Sequence, residues 1–464
     1  MTTGYDLIAI GSGPAGQRAA VQAAKLGKRA AVVERADVLG GASTNSGTVP
    51  SKTLRAVVLE LRGQLRGGYR SHVAHHRVLD DLHWRTQEVV EHEREVVFDQ
   101  LRRNHVDLVT GTAAFVDPHT IAVGDRLLSA ERFVIAVGTT PARPAGVDFD
   151  DCVVLDSDGI LRLRRLPATM TVIGGGVIGL EYASMAAALG VHVTLVEKRP
   201  RLLEFVDDEL VEALQYHLRG IGVVLRLGEE VAEVRRPKSG GAVTYLHSGK
   251  QLPSDVVLYT AGRHGATDDL NLASAGLGAD ARGRIAVGAD FRTAQPHIFA
   301  AGDVIGFPSL AATSLDQGRL AALAAFGKPA HSLDGPLPYG IYTIPEVSFV
   351  GRNERELTGA AVPYVVGVSR YRELTRGAIA GDRSGLLKLL VHADRRRILG
   401  VHIFGTGAAE LVHIGQTAMA GDLTVDYLAD AVFNVPTFAD AYKVAALDAV
   451  NRLNELDNGC TLAA

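Results

Sequence analysis

At 464 residues the chain is long for one hydrophobic core, and at roughly 100 to 200 residues per domain it predicts two to four domains. With 47% apolar residues, 51 glycines, one tryptophan and a formal net charge of -4, it fits a soluble globular enzyme and lacks the basic excess of a nucleic-acid binder. No apolar run approaches the roughly 20 residues that span a bilayer, and the N-terminus lacks the basic-then-apolar order of a secretory signal, so a cytoplasmic address without a membrane partner is expected. The two cysteines, Cys152 and Cys460, form no close-spaced dithiol pattern and are expected as free thiols in a reducing compartment.

The first predicted unit is "YDLIAIGSGPAGQRAAVQAAKLGKRAAVVER": an apolar strand, then Gly11, Gly13 and Gly16, an Ala-rich helix, and a second strand ending at Glu34. In such a βαβ unit the first glycine makes the tight turn, the second admits a pyrophosphate, and the third lets helix pack on strand. The phosphates sit on the helix N-terminus and the terminal acid accepts ribose hydroxyls.

Next comes "GGASTNSGTVPSK", Gly40 to Lys52, with paired glycines, Pro50, and Lys52 at a helix start. The stretch from Ser71 to Val106 carries six of the sixteen histidines. Its apolar spacing at Leu82, Val89, Val90, Val96 and Val97 predicts a long amphipathic surface helix, and the histidines do not converge on an i, i+4 ligand set, so no metal site is expected. The segment "RFVIAVGTTPARP" then runs a strand into a turn at Gly138.

The glycine motif recurs in "MTVIGGGVIGLEYASMAAALGVHVTLVEKR", with Gly174, Gly176 and Gly179 and a strand ending at Glu197. In both copies the acid falls 23 residues after the first glycine, which two separate dinucleotide sites require. "VVLYTAGRHGATDDL" turns at Gly262, at a place matching Gly138, and both are read as strand ends closing a dinucleotide fold. In "HIFAAGDVIGFPSLAATSLDQGRLAALAAFG", Asp303 follows a buried strand, where a carboxylate suits a polyol or ribose hydroxyl.

With these pieces in order, the chain resembles the flavoprotein disulfide reductases nearly end to end. The resemblance implies an α/β fold with two Rossmann-like dinucleotide-binding domains, for FAD and for NAD(P), plus a C-terminal α+β dimerisation domain. It places FAD-binding segments at 1–150 and 273–338, the NAD(P)-binding domain at 151–272 and the interface domain of a homodimer at 339–464. It assigns Gly11, Gly13, Gly16, Glu34 and Asp303 to FAD, with Asp303 on the ribityl chain and Lys52 beneath the flavin ring, and leaves Gly41, Thr48 and Gly138 as further candidate cofactor contacts. Gly174, Gly176, Gly179 and Glu197 go to the nicotinamide nucleotide, and Arg199 and Gly262 are further candidate cofactor contacts read from the residues themselves.

The family places two cysteines inside the "GG…PSK" frame, and here Ser43 and Thr48 stand there. It also has a proton-handling His and a Glu near the C-terminus, where this chain has Val435 and Asp440. The losses fit one mechanism, because a base that manages a thiol's proton has no task without the thiol. The implied electron path stops at the flavin.

Within that family, "GTVPSKTLR" and "FNVPTFADAYKVAALDAVNRL" are similar to the soluble, energy-independent, Si-specific pyridine nucleotide transhydrogenases. These imply hydride exchange between NADPH and NAD by a ping-pong route through FAD. Lys52 and Glu181 are then the expected charged pair at the flavin ring. Glu197 favours a free 2'-hydroxyl, whereas a 2'-phosphate wants a basic group, which Lys198, Arg199 or Arg201 supplies. The rival readings are a diaphorase or quinone reductase, and a non-catalytic nucleotide sensor.

Overall fold

The computed structural model describes residues 3–66, 75–329, 333 and 335–457. They fall into two compact units, each assembled from two separated stretches: Met1–Leu166 with Leu258–Ser332, and Pro167–Val257 with Leu333–Ala464. The α/β class is as expected. His72 and Cys460 lie outside the described residues.

The first unit is organised by a mixed sheet. Strands Asp107–Thr110, Ala30–Glu34, Thr3–Ile10 and Arg126–Ile135 run parallel in that order. The free edge of Arg126–Ile135 is shared: the antiparallel hairpin Ala113–Asp117 and Thr120–Val123 takes its start, and Ile298–Ala300 ladders in parallel onto its end. Residues alternate between faces. Leu7, Ala9, Val32 and Val134 pack with the small residues of helix Pro14–Lys25, while Ile8, Ile10, Val33, Phe133 and Ile135 form a second core on the opposite face. Covered on both sides, strand Ala30–Glu34 is buried throughout, which is why it reads as a continuous apolar run.

The histidine-rich stretch does form a long helix, His75–Arg103. Leu82, Val90 and Val97 are buried on it, but Val96, expected on the apolar stripe, is exposed. One residue away from Val97 it is rotated by about 100°, off the inward stripe.

In the second unit, strands Val224–Leu227, His192–Glu197 and Thr169–Ile173 run parallel, with helix Val177–Ala188 joining the last two. A small antiparallel sheet follows, Val231–Arg235, Ala242–Leu246 and Gln251–Ser254. The C-terminal stretch builds a five-stranded antiparallel sheet in the order Tyr339–Ile341, Glu346–Gly351, Ile398–Gly405, Leu386–His392, Tyr364–Arg370. Helix Asp440–Asp457 joins its core through Ala441, Ala445, Ala446 and Ala449, whose i, i+4, i+5, i+8 spacing gives a smooth apolar stripe. Among the described residues no helix is long and apolar enough to cross a membrane.

Candidate dinucleotide sites

The strand Thr3–Ile10 delivers Gly11 at its end, and Gly11 N donates to Val33 O at 2.7 Å, closing the turn against the neighbouring strand. Helix Pro14–Lys25 begins after Gly13, and no side chain caps it, so its first-turn N–H groups face outward unclaimed by a cap. The glycines meet different demands. A Cβ at Gly16 would sit 1.9 Å from Gly11 O, so the helix can lie this close to the turn only with glycine there. A Cβ at Gly13 would meet nothing within 4 Å; the space over the helix N-terminus is open, as a bound pyrophosphate requires.

Glu34 is buried, and Ser12 holds it: Oε2 accepts from Ser12 N at 2.8 Å and Ser12 Oγ at 2.6 Å, and Oε1 accepts from Ala36 N at 3.1 Å. Ser12 Oγ also accepts from Gly40 N at 3.0 Å, which ties the acid to the "GG…PSK" frame. That frame folds into two helices, Gly41–Asn45 and Thr48–Arg66. Gly41 has φ +60° and a Cβ on it would lie 2.8 Å from Gly13 Cα, so the frame is pressed directly against the glycine motif. Asn45 fixes the first short helix by donating to Leu39 O and Gly41 O, both at 2.8 Å, and Arg94 of the long helix donates to Asn45 Oδ1 at 2.7 Å. Ser43 is half-buried, Thr48 is exposed, and Lys52 lies half-buried in the first turns of Thr48–Arg66.

The second motif repeats this path. Gly174 N donates to Val196 O at 2.8 Å, and helix Val177–Ala188 starts uncapped after Gly176, over which a Cβ would again meet nothing within 4 Å. Gly179 is buried in the first turn. Glu197 differs from Glu34 in its company. Its Oε2 accepts from Gly175 N at 2.6 Å and Arg199 Nη2 at 3.2 Å, and its Oε1 accepts from Arg199 N and Nε, both at 2.9 Å. Burial opposes the Glu197 charge, but the hydrogen bonds from Arg199 and Gly175 outweigh it and hold the carboxyl below its usual range. The other two basic groups after it are engaged elsewhere: Lys198 pairs with Glu230 at 2.7 Å and Arg201 with Asp208.

Glu181 is buried in helix Val177–Ala188, and its Oε1 accepts from Tyr342 N at 2.8 Å. One turn on, Ser184 Oγ accepts from Ile344 N at 3.0 Å. The acid expected to face the flavin thus also stitches the C-terminal stretch onto its helix. Glu181 belongs to the second unit and Lys52 to the first.

The turns at Gly138 and Gly262, read from sequence as ends of separate folds, meet inside the first unit. Strands Thr139–Pro141 and Arg263–Gly265 pair antiparallel, Ala142 N donates to Gly262 O at 3.1 Å, and Ala266 N donates to Gly138 O at 3.0 Å. Arg263 locks the junction, donating from Nε to Thr139 Oγ1 at 2.8 Å and from Nη2 to Thr139 O at 2.9 Å. Thr139 in turn hydrogen-bonds Asp303. Burial pushes the Asp303 carboxyl above its ordinary range, against the Arg263 charge and the Thr139 hydrogen bond.

Near the C-terminus Val435 is 65% exposed, and Asp440 opens helix Asp440–Asp457. The sequence reading missed a buried ionic cluster. Lys388, 1% exposed, contacts Asp207 at 2.8 Å, Glu209 at 3.2 Å and Glu354. Burial disfavours its charge, yet the bonds to Asp207 and Glu354 hold the ammonium above the usual lysine value. The three acids gather as metal ligands would, with the lysine supplying the cation. The signal was a lone lysine inside the apolar strand "LLKLLVH".

Comparison with known proteins places this geometry. Residues 5–318 match the pyridine nucleotide-disulphide oxidoreductase family, and residues 337–446 match its dimerisation domain. A protein named soluble pyridine nucleotide transhydrogenase from Mycobacterium bovis is 55% identical, covering 98% of each chain. One of the same name from Photobacterium profundum is 44% identical, covering 97% of this chain and 98% of its own. Among solved structures, the HOCl-induced flavoprotein disulfide reductase RclA from Escherichia coli, in a Cu(II) complex, superimposes with a TM-score of 0.87 at 28% identity, over 96% of this chain and 99% of that one. With its family match over most of its length and relatives this similar from end to end, the chain belongs to the pyridine nucleotide-disulphide oxidoreductase family.

Proposed function

We propose that the chain is a Si-specific transhydrogenase of the soluble type, exchanging a hydride between nucleotides (NADPH + NAD+ = NADP+ + NADH) in a ping-pong cycle without a redox disulfide. FAD, when bound, supplies the two-electron carrier shared by the two half-reactions. The first glycine motif, Gly41, Thr48 and Gly138 hold it, with Glu34 on its ribose and Asp303 on its ribityl chain. Gly174, Gly176 and Gly179 receive the pyrophosphate of the nicotinamide nucleotide and Glu197 its adenosine ribose, and Gly262 is assigned to the same nucleotide. Lys52 and Glu181 are assigned to the reactive end, the lysine stabilising negative charge there. We further read 1–150 with 273–338 as the FAD-binding part, 151–272 as the NAD(P)-binding part and 339–464 as the interface of a homodimer.

The observation that carries this reading is chemical. The frame that would present a dithiol holds Ser43 and Thr48, and among the described residues the single cysteine, Cys152, is exposed and far along the chain from that frame. A two-electron path with no thiol acceptor returns its hydride to a nucleotide. The end-to-end likeness to proteins named for that reaction supports it.

The test mixes the flavin-loaded protein with NADPH and a thio analogue of NAD+, following reduction of the analogue at its own wavelength. Steady reduction, with parallel lines in double-reciprocal plots, is expected. Reduction of a quinone but not of the analogue would replace the reading by a diaphorase, and a flavin that NADPH fails to bleach would replace it by a sensor.

A further inference from the structure

The acid that closes the second glycine motif is already full. A carboxylate offers about four acceptor directions. Glu197 fills them with two backbone donors, Gly175 N at 2.6 Å and Arg199 N at 2.9 Å, and two donors from the Arg199 guanidinium, Nε at 2.9 Å and Nη2 at 3.2 Å. Glu34, its counterpart, takes three donors among the described residues, and one direction of its Oε1 stays open. A ribose diol can therefore reach Glu34 directly, but at Glu197 it must first displace something.

Only one occupant can move cheaply. The two backbone N–H groups are fixed by the turn, whereas the Arg199 side chain is 47% exposed over a Glu197 side chain that is 8% exposed. Lys198 and Arg201 are paired with Glu230 and Asp208, so the mobile cation over the acid is Arg199.

We propose that Arg199 is a built-in competitor for the adenosine ribose: it must leave Glu197 before a nucleotide with a free 2'-hydroxyl can bind, and it transfers to the phosphate of a nucleotide that carries a 2'-phosphate. The proposal rests on reading the second motif as the nicotinamide nucleotide site. One side chain then opposes one substrate class and supports the other, so removing it moves two affinities in opposite directions. An arginine that only binds phosphate would leave the free-ribose ligand unaffected, and one that only braces the fold would weaken both.

The test uses the flavin-loaded full chain and two fragments that differ only in the 2'-phosphate, 5'-AMP and 2',5'-ADP, with affinities measured by titration calorimetry. In Arg199→Ala, 5'-AMP should bind about two- to fivefold tighter, the scale of a half-exposed ion pair removed. The same variant should bind 2',5'-ADP at least about tenfold more weakly. Arg199→Lys, which keeps the charge but not the fork, should fall between, and Glu197→Gln should weaken 5'-AMP while sparing or tightening 2',5'-ADP. Unchanged or weaker 5'-AMP binding in Arg199→Ala overturns the proposal, as does a wild-type protein that binds neither fragment. Neither fragment carries a nicotinamide, so failure of the transhydrogenase reading in the hydride assay leaves this result standing.

Discussion

Between Gly11 and Glu34, and again between Gly174 and Glu197, the chain takes the same backbone path. Gly11 and Gly174 both have φ of 106°, and the residues before the helices, Gly13 and Gly176, are both extended at φ -65° and -77°. Both helices end in a left-handed glycine, Gly27 and Gly190. Two of the side-chain differences between the copies bear on the terminal acid. Ser12 in the first, whose hydroxyl bridges Glu34 to Gly40, is Gly175 in the second; Ala36, which brings only its N–H to the acid, is Arg199, which brings its whole guanidinium. Backbone geometry builds a nucleotide cradle, and the residue two positions past the acid sets whether the acid is open. Under the proposed function, the open cradle is the one that keeps its cofactor and the contested one exchanges its ligand every half-cycle.

Substitutions that separate backbone from side chain test this contrast. The largest effect is expected at Gly16. Gly16→Ala puts a methyl 1.9 Å from Gly11 O and should cost about 3 kcal/mol in thermal or chemical unfolding, whereas Gly13→Ala, with open space at its Cβ, should leave the melting temperature nearly unchanged and lower flavin content. Equal destabilisation by both would show that the open space over the helix is not reserved for a ligand. Ser12→Ala should cost about 1 to 3 kcal/mol, because Glu34 loses a donor and Gly40 N loses its acceptor; denaturant midpoints measure this.

A graft sharpens the comparison. Ala36→Arg places beside Glu34 the side chain that occupies Glu197, and FAD affinity should fall by up to about tenfold, read from flavin release on dilution. Undiminished affinity would break the link between that position and the openness of the acid. The smallest effect is on acid stability. The Glu197 carboxyl titrates below its ordinary value of 4.5, so its contribution is complete above that value and is lost as pH falls through the lower folded one. Glu197→Gln should flatten that limb of the stability–pH curve slightly, since Arg199 is screened by solvent.

The parts of the site that follow from local backbone demands were legible in the sequence. Gly11 and Gly16 are forced by a turn and a close helix, Gly13 leaves the space over the helix start open, and their fixed distance to Glu34 follows from the length of one βαβ unit. What depends on distant partners was not. Lys388 meets Asp207 and Glu354 from separate segments, and Glu181 finds a backbone donor 161 positions away at Tyr342. Periodicity carries no information about such meetings. The meeting of the Gly138 and Gly262 turns was hidden for the same reason, since each turn was visible but not its partner. Arg199 is the instructive middle case. It was one of three basic candidates for a 2'-phosphate, yet its nearest opposite charge is two residues away in the sequence, and its hold on that acid could have been anticipated from spacing alone.

The short strand Ile298–Ala300 completes the edge of Arg126–Ile135, the strand beside the first glycine motif. During synthesis, therefore, the ribosome emits the first cradle long before the residues that finish its sheet. Until about residue 300 has emerged, the end of Arg126–Ile135 stands as an unpaired edge with an apolar face, open to mispairing. The second cradle draws on a shorter run, Thr169 to Tyr259, because Val256–Tyr259 lies beside Thr169–Ile173 in its sheet, and its wait ends sooner. Order of translation and order of maturation are thus reversed: the cradle made second is ready first.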